Sequence, residues 1–168
     1  MSIQAFIKSS PLKGKAICSA IFQALSDQVF SVNKLIAEIP SLKPADRGNC
    51  MEAIVLYTEL NPTLFPIAVV PNLEAILCDN APRVQWECAR CIALLAPIMT
   101  VNWHKHINAL LINAKQGGTV VRWSAAKALL AIYLSDLTTY AFLKLELETC
   151  IQLEEKNSIQ KIYKQAFK

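Results

Sequence analysis

Glycine is scarce in this chain, with four in 168 residues, and charged residues make up 18% against a hydrophobic share of 54%. So little tight-turn material and so much apolar surface favour helices packed on helices, many with little exposed area. A run of about 18 uncharged apolar residues, the minimum for a membrane span, is also missing. The longest candidates, Leu60 to Leu73 and Cys91 to Trp103, are interrupted by Pro62, Pro66 and Pro71 and by Pro97. The opening "MSIQAFIKSSPLKGK" has no continuous apolar segment and no small-residue cleavage site, so no secretory signal is read and a cytoplasmic chain is expected. The six cysteines are scattered at 18, 50, 78, 88, 91 and 150, mostly inside apolar helical patterns, which suits free buried thiols rather than a disulfide framework. Net charge is +4, mildly basic, without the dense clustering of a dedicated nucleic-acid binder.

Motifs of catalysis are missing as well. There is no phosphate-binding G-x-x-x-x-G-K-[ST], no G-x-G-x-x-G, no H-E-x-x-H, no G-x-S-x-G and no EF-hand loop. The acids are scattered rather than paired, and Gly117-Gly118 reads as a turn between helices rather than an anion cradle. A non-enzymatic chain without cofactor or metal is the expectation.

What is present is helical periodicity. It predicts helices over about 12–26, 28–39, 45–60, 64–79, 82–96, 102–116, 119–134, 138–155 and 157–167, and no strand. Links this short make neighbouring helices antiparallel. Two of the helices repeat each other. "RVQWECARCIALLAP" lies over "VVRWSAAKALLAIYL" without a gap at an offset of 123 minus 86, or 37 residues. Val121, Ala125, Ala128, Leu129 and Ile132 share one helical arc, as do Val84, Cys88, Cys91, Ile92 and Leu95. The same template extends more weakly to Asn49, Ala53, Leu56, Tyr57 and Leu60 and to Ile159, Tyr163, Ala166 and Phe167. One further helix sits between copies, so the repeating unit is a helix pair stacked on its neighbours.

"VVRWSAAKALLAI" resembles the second helix of a HEAT repeat, whose Val-Arg pair, two alanines, leucine and terminal aliphatic are met by Val121, Arg122, Ala125, Ala126, Leu129 and Ile132. The preceding copy keeps Val84, Ala89, Ile92 and Leu95 but has Gln85 at the arginine position. Armadillo-type repeats are a close relative of the pattern. The resemblance is strongest over 63–134, weaker over 45–62 and 138–168, and without motif before 40. It implies an all-α, short right-handed α-solenoid of about four antiparallel helix pairs, with repeats near 12–40, 41–79, 80–116 and 117–168 and a capping C-terminal helix.

In such a solenoid the second helices form the concave wall. That would align Trp86, Glu87 and Arg90 with Trp123, Ser124 and Lys127 as an aromatic-basic ladder, with Met51 and Lys161 in the tryptophan column of the outer copies. Exposed Trp and Arg at repeat spacing suit a partner-binding face; packing into the seam between repeats is the competing role. "CARC" suggests a metal or thiol site with His104 and His106, but Cys88 and Cys91 fall in the alanine columns of the core, and two histidines two apart on a helix diverge by about 200°. The cluster Trp103, His104, Lys105 and His106 has no acid between Glu87 and Asp136 to orient a catalytic histidine, and it reads as solvated or ridge residues that could extend a binding surface. The expected function is an interaction module that binds a protein or peptide, with no membrane. The alternative is nucleic-acid binding of the kind that alkylation-repair DNA glycosylases of HEAT-like type perform, although the aspartate those enzymes place among their aromatics has no counterpart on the matched arcs.

Overall fold

A computed structural model describes all 168 residues and contains helices and turns but no strand. The α-helices are α1 (Ile3–Ser9), α2 (Lys15–Ser26), α3 (Val32–Glu38), α4 (Pro44–Leu60), α5 (Leu73–Leu77), α6 (Pro82–Leu95), α7 (His104–Gln116), α8 (Thr119–Ser135), α9 (Leu143–Leu153) and α10 (Asn157–Tyr163). Local chemistry sets many of their starts. The Ser2 and Ser31 hydroxyls accept the backbone N–H groups of Ala5 and Lys34 at 3.1 and 3.2 Å, and Pro44 and Pro82 stand at first-turn positions where a missing N–H costs nothing.

Three departures from the predicted helices have physical causes. The continuous helix expected over 64–79 is replaced by 3-10 turns at Pro62–Leu64 and Ile67–Asn72 before α5 begins. Pro62, Pro66 and Pro71 remove amide donors, and Asn61 and Phe65, the residues before the first two, leave the α region. The helix expected from 138 starts at Leu143. Ahead of it the Asp136 carboxylate accepts the backbone N–H groups of Thr138 and Thr139 at 3.0 and 2.9 Å and so holds a turn. Finally, α1 was not anticipated. It is tied down by fully buried Ile3, whose N–H donates to the Glu38 carboxylate at 2.8 Å.

Helices α2, α4, α6, α8 and α10 pack in that order, each against the next, and α5, α7 and α9 form a second series of contacts. The series are joined where α5 packs on α6, α7 on α8 and α9 on α10. One hydrophobic cluster of 49 buried residues runs through all of them, from Ile3 to Tyr163. No helix is long and apolar enough to cross a membrane.

Burial confirms the arc assigned to the two matched helices. Cys88, Cys91, Ile92 and Leu95 on α6 and Ala125, Ala128, Leu129 and Ile132 on α8 are all fully buried. On α4 the template is out of register. Leu60 is 70% exposed, while Cys50, Ala53, Ile54 and Thr58 are fully buried. Arg47 and Arg122 supply the correct alignment. Each donates Nη1–H to the carbonyl five residues earlier, Leu42 at 2.9 Å and Gly117 at 3.0 Å, and each pairs with an acid 32 residues later, Asp79 and Glu154. The shift of 122 minus 47, or 75 residues, is two periods of 37 to 38. It places Cys50, Ala53, Ile54, Val55 and Thr58 under Ala125, Ala128, Leu129, Leu130 and Tyr133, all of them buried.

Candidate interaction surface on α6 and α8

Trp86 and Trp123 lie at matching positions of α6 and α8, both half-buried. Trp123 packs one side against the core, and the Lys127 ammonium sits 4.0 Å from the centre of its ring, a cation–π contact that holds the lysine at the surface. Both tryptophans line a hollow of about 580 Å³ with Val120, Arg90 and Lys127. A second hollow of about 580 Å³ continues toward α10 between Leu130, Leu134 and Ile162, and the two meet at Ala93 and Lys127. Val120 and Leu134 are about half exposed, 51% and 52%. Trp123 thus both packs on the core and borders the hollow, as a ring this large can.

Three of the expected ladder residues have other roles. Met51 is fully buried, so it lines no surface. In the corrected register the tryptophan column on α4 is held by Gly48, and the Arg83 side chain lies across it; a Cβ there would stand 2.9 Å from Arg83 Cδ. Glu87 is 4% exposed and faces inward. Its carboxylate accepts Trp86 Nε1–H and Arg90 Nη1–H, both at 2.8 Å, and burial pushes its pKa up against those two partners. Its partner position Ser124 is buried as well and donates its hydroxyl to the Val120 carbonyl at 2.9 Å. Neighbours on both flanks cover more of α6 and α8 than a single-helix wheel anticipates.

Arg90 is not a free cation either. It bridges Glu87 on its own helix and Glu59 on α4, at 2.8 and 3.0 Å. All four arginines of the chain are used in this way. Arg47 pairs with Asp79, Arg83 with Glu52, Arg90 with Glu59 and Arg122 with Glu154, each across 31 or 32 residues of sequence. These pairs were missed in the sequence, yet the signal was there, since every arginine has an acid about one repeat minus one turn away. Lys127, by contrast, is exposed and has no carboxylate partner, and the same holds for Lys161 on α10.

The paired cysteines are core residues, and the histidine cluster is divided between core and surface. Cys88 and Cys91 are both fully buried in the core; burial raises both thiols, Cys91 to about 12. Of the residues expected to be solvated or on a ridge, His104 and Lys105 are exposed, whereas Trp103 and His106 are buried at 1% and 2% exposure. The cause is tertiary: a His106 ring nitrogen lies 2.9 Å from the Val70 carbonyl in the 3-10 turn before α5, a carbonyl that also accepts the Leu73 amide. Asn113 Nδ2–H does the same for the Leu77 carbonyl at 3.0 Å. A cavity of about 510 Å³ beside Trp103 is lined by His104, Asp136 and Tyr140. Those groups hydrogen-bond within the chain, His104 with Asn102, Asp136 with Thr139 and Tyr140 with the Val101 carbonyl.

The α6–α8 face is therefore the part of this molecule that combines apolar hollows, half-exposed aromatics and an unpaired cation. The chain matches no protein-family model, no curated protein and no solved structure.

Proposed function

We propose that the chain is a HEAT-like α-solenoid that acts as a non-enzymatic interaction module and binds a protein or peptide on the face of α6 and α8, its concave wall. The observation that carries this reading is the pair of joined hollows bordered by Trp86, Trp123 and Lys127 with half-exposed Val120 and Leu134 at their rims. Aromatic anchors beside apolar recesses are the usual composition of a binding hot spot. The stacking order of the helices and the repeat of 37 to 38 residues support the solenoid. Nucleic-acid binding has less support, because all four guanidinium groups are already held by carboxylates and the face of α6 and α8 offers apolar recesses with Lys127 as its one unpaired cation rather than a dense basic cluster.

The test is a selection of random peptides displayed on phage against the whole chain, repeated with two variants. Trp86→Ala/Trp123→Ala removes the anchors, and Val120→Gln/Leu134→Gln removes only rim side chains that are already half in water. Enrichment that is lost with both variants supports the reading. Absence of enrichment, or enrichment indifferent to the rim variant, overturns it. The rim variant keeps the test valid if the tryptophan variant unfolds.

A further inference from the structure

We propose that the occupant of this face is an acidic amphipathic peptide segment, with its apolar side chains in the hollow between α8 and α10 and its carboxylates on Lys127 and Lys161. The inference rests on reading the face as a binding surface and adds the chemistry and polarity of what binds there.

The argument is one of charge compensation along the groove. At its α4 end every charge is answered within the chain: Arg83 by Glu52, and Arg90 by Glu59 and Glu87. A ligand carboxylate arriving there meets no unpaired arginine. Toward α10 the balance changes. The hollow lined by Leu130, Leu134 and Ile162 contains Lys127 as its single charged residue and no acid. Lys161 lies one residue before Ile162 on the helix that packs against α8, is exposed, and has no carboxylate partner. An apolar recess with Lys127 in its lining, no acid, and Lys161 exposed on the adjoining helix α10 suits a ligand that brings aliphatic or aromatic side chains together with carboxylates. Lys127 is also partly pre-positioned by its contact with Trp123, so less side-chain freedom is lost when a carboxylate arrives. A phosphate backbone would satisfy the lysines but leave the apolar recess unfilled, which is why the peptide is favoured.

The displayed-peptide selection reads this directly. Enriched peptides are expected to carry Asp or Glu beside Leu, Ile or Phe. A synthetic peptide of the enriched sequence is expected to bind the Lys127→Gln/Lys161→Gln chain about two- to thirtyfold more weakly, the range for losing two exposed ion pairs, and to weaken with added salt. Lys127→Glu/Lys161→Glu is expected to reverse the preference toward basic peptides. Both lysines are exposed and outside the core, so an unchanged thermal melt certifies each variant. Neutral or basic peptides that still depend on Val120 and Leu134 would overturn the acidic assignment while leaving the binding face intact; no enrichment at all would overturn both. A fluorescein-labelled oligonucleotide that binds with the same dependence on both lysines would overturn the peptide in favour of nucleic acid. Concentration-dependent dimerisation in sedimentation that disappears with the lysine variant would overturn it in favour of a second copy of this chain.

Discussion

At the scale of single residues, burial decides roles that residue type alone leaves open. His106 is buried against the Val70 carbonyl, and burial lowers its pKa below the usual imidazole value. The unfolded chain therefore takes up this proton at a higher pH than the folded one. Stability from keeping His106 neutral is complete above about pH 6.5 and is lost as pH falls below that value toward the lower folded pKa. The urea midpoint is expected to fall between about pH 7.5 and 5.5, and His106→Gln is expected to flatten that dependence. An unaltered slope in the variant would show that another group titrates. The cysteines give a second check. Cys78 is exposed and the other five are buried, so a thiol reagent is expected to modify one group rapidly in the native chain and six after denaturation. The columns of Cys88 and Cys91 were legible in the sequence because the repeat laid them over Ala125 and Ala128. Met51 was not, because its column depended on a register that only the Arg47 and Arg122 contacts establish.

At the scale of elements, the joints between successive helices are marked by arginine–acid pairs of unequal worth. Arg122 grips Glu154 through Nε and Nη2 at 2.9 and 3.3 Å, and the Glu154 side chain is 4% exposed. Burial alone would raise that carboxyl, but the hydrogen bonds from Arg122 and the Lys156 amide outweigh it and hold the pKa low. Arg122→Ala strands a buried carboxylate and is expected to cost roughly 3 kcal/mol, or about 6 to 12 °C in Tm for a chain of this size. Arg90 and Glu59 are 34% and 40% exposed, and Glu59→Gln is expected to cost well under about 1 kcal/mol because water screens the pair. Calorimetric melts of the two variants separate the cases, and equal losses would refute the ranking. Most helices were readable from period and caps. The segment from Pro62 to Leu77 was not, because apolar spacing suggested a helix there while three prolines withheld the amides to build one.

At the scale of the whole molecule, the properties that matter are which face stays open and what charge it carries. Leu134 and Val120 remain half in water although each sits on a helix otherwise sunk in the core. Replacing both with Gln is expected to leave the thermal melt unchanged or slightly raised while reducing peptide capture, since a rim residue contributes to a partner rather than to the fold. A net charge of +4 does not reveal the binding face, because the arginines nearest the tryptophans are cancelled locally while Lys127, in the lining of both hollows, has no carboxylate partner. Composition, helical period and the 37-residue overlay determined from sequence alone that this is an all-helical chain with α6 and α8 as copies that bury the same arc, because periodicity is a local property of the covalent order. Tertiary structure alone decided that Glu87, Met51 and His106 are inside, that Arg90 is tethered and that Lys127 is free. Those outcomes depend on which acid, carbonyl or neighbouring helix arrives from more than 30 residues away, and no local pattern encodes that arrival.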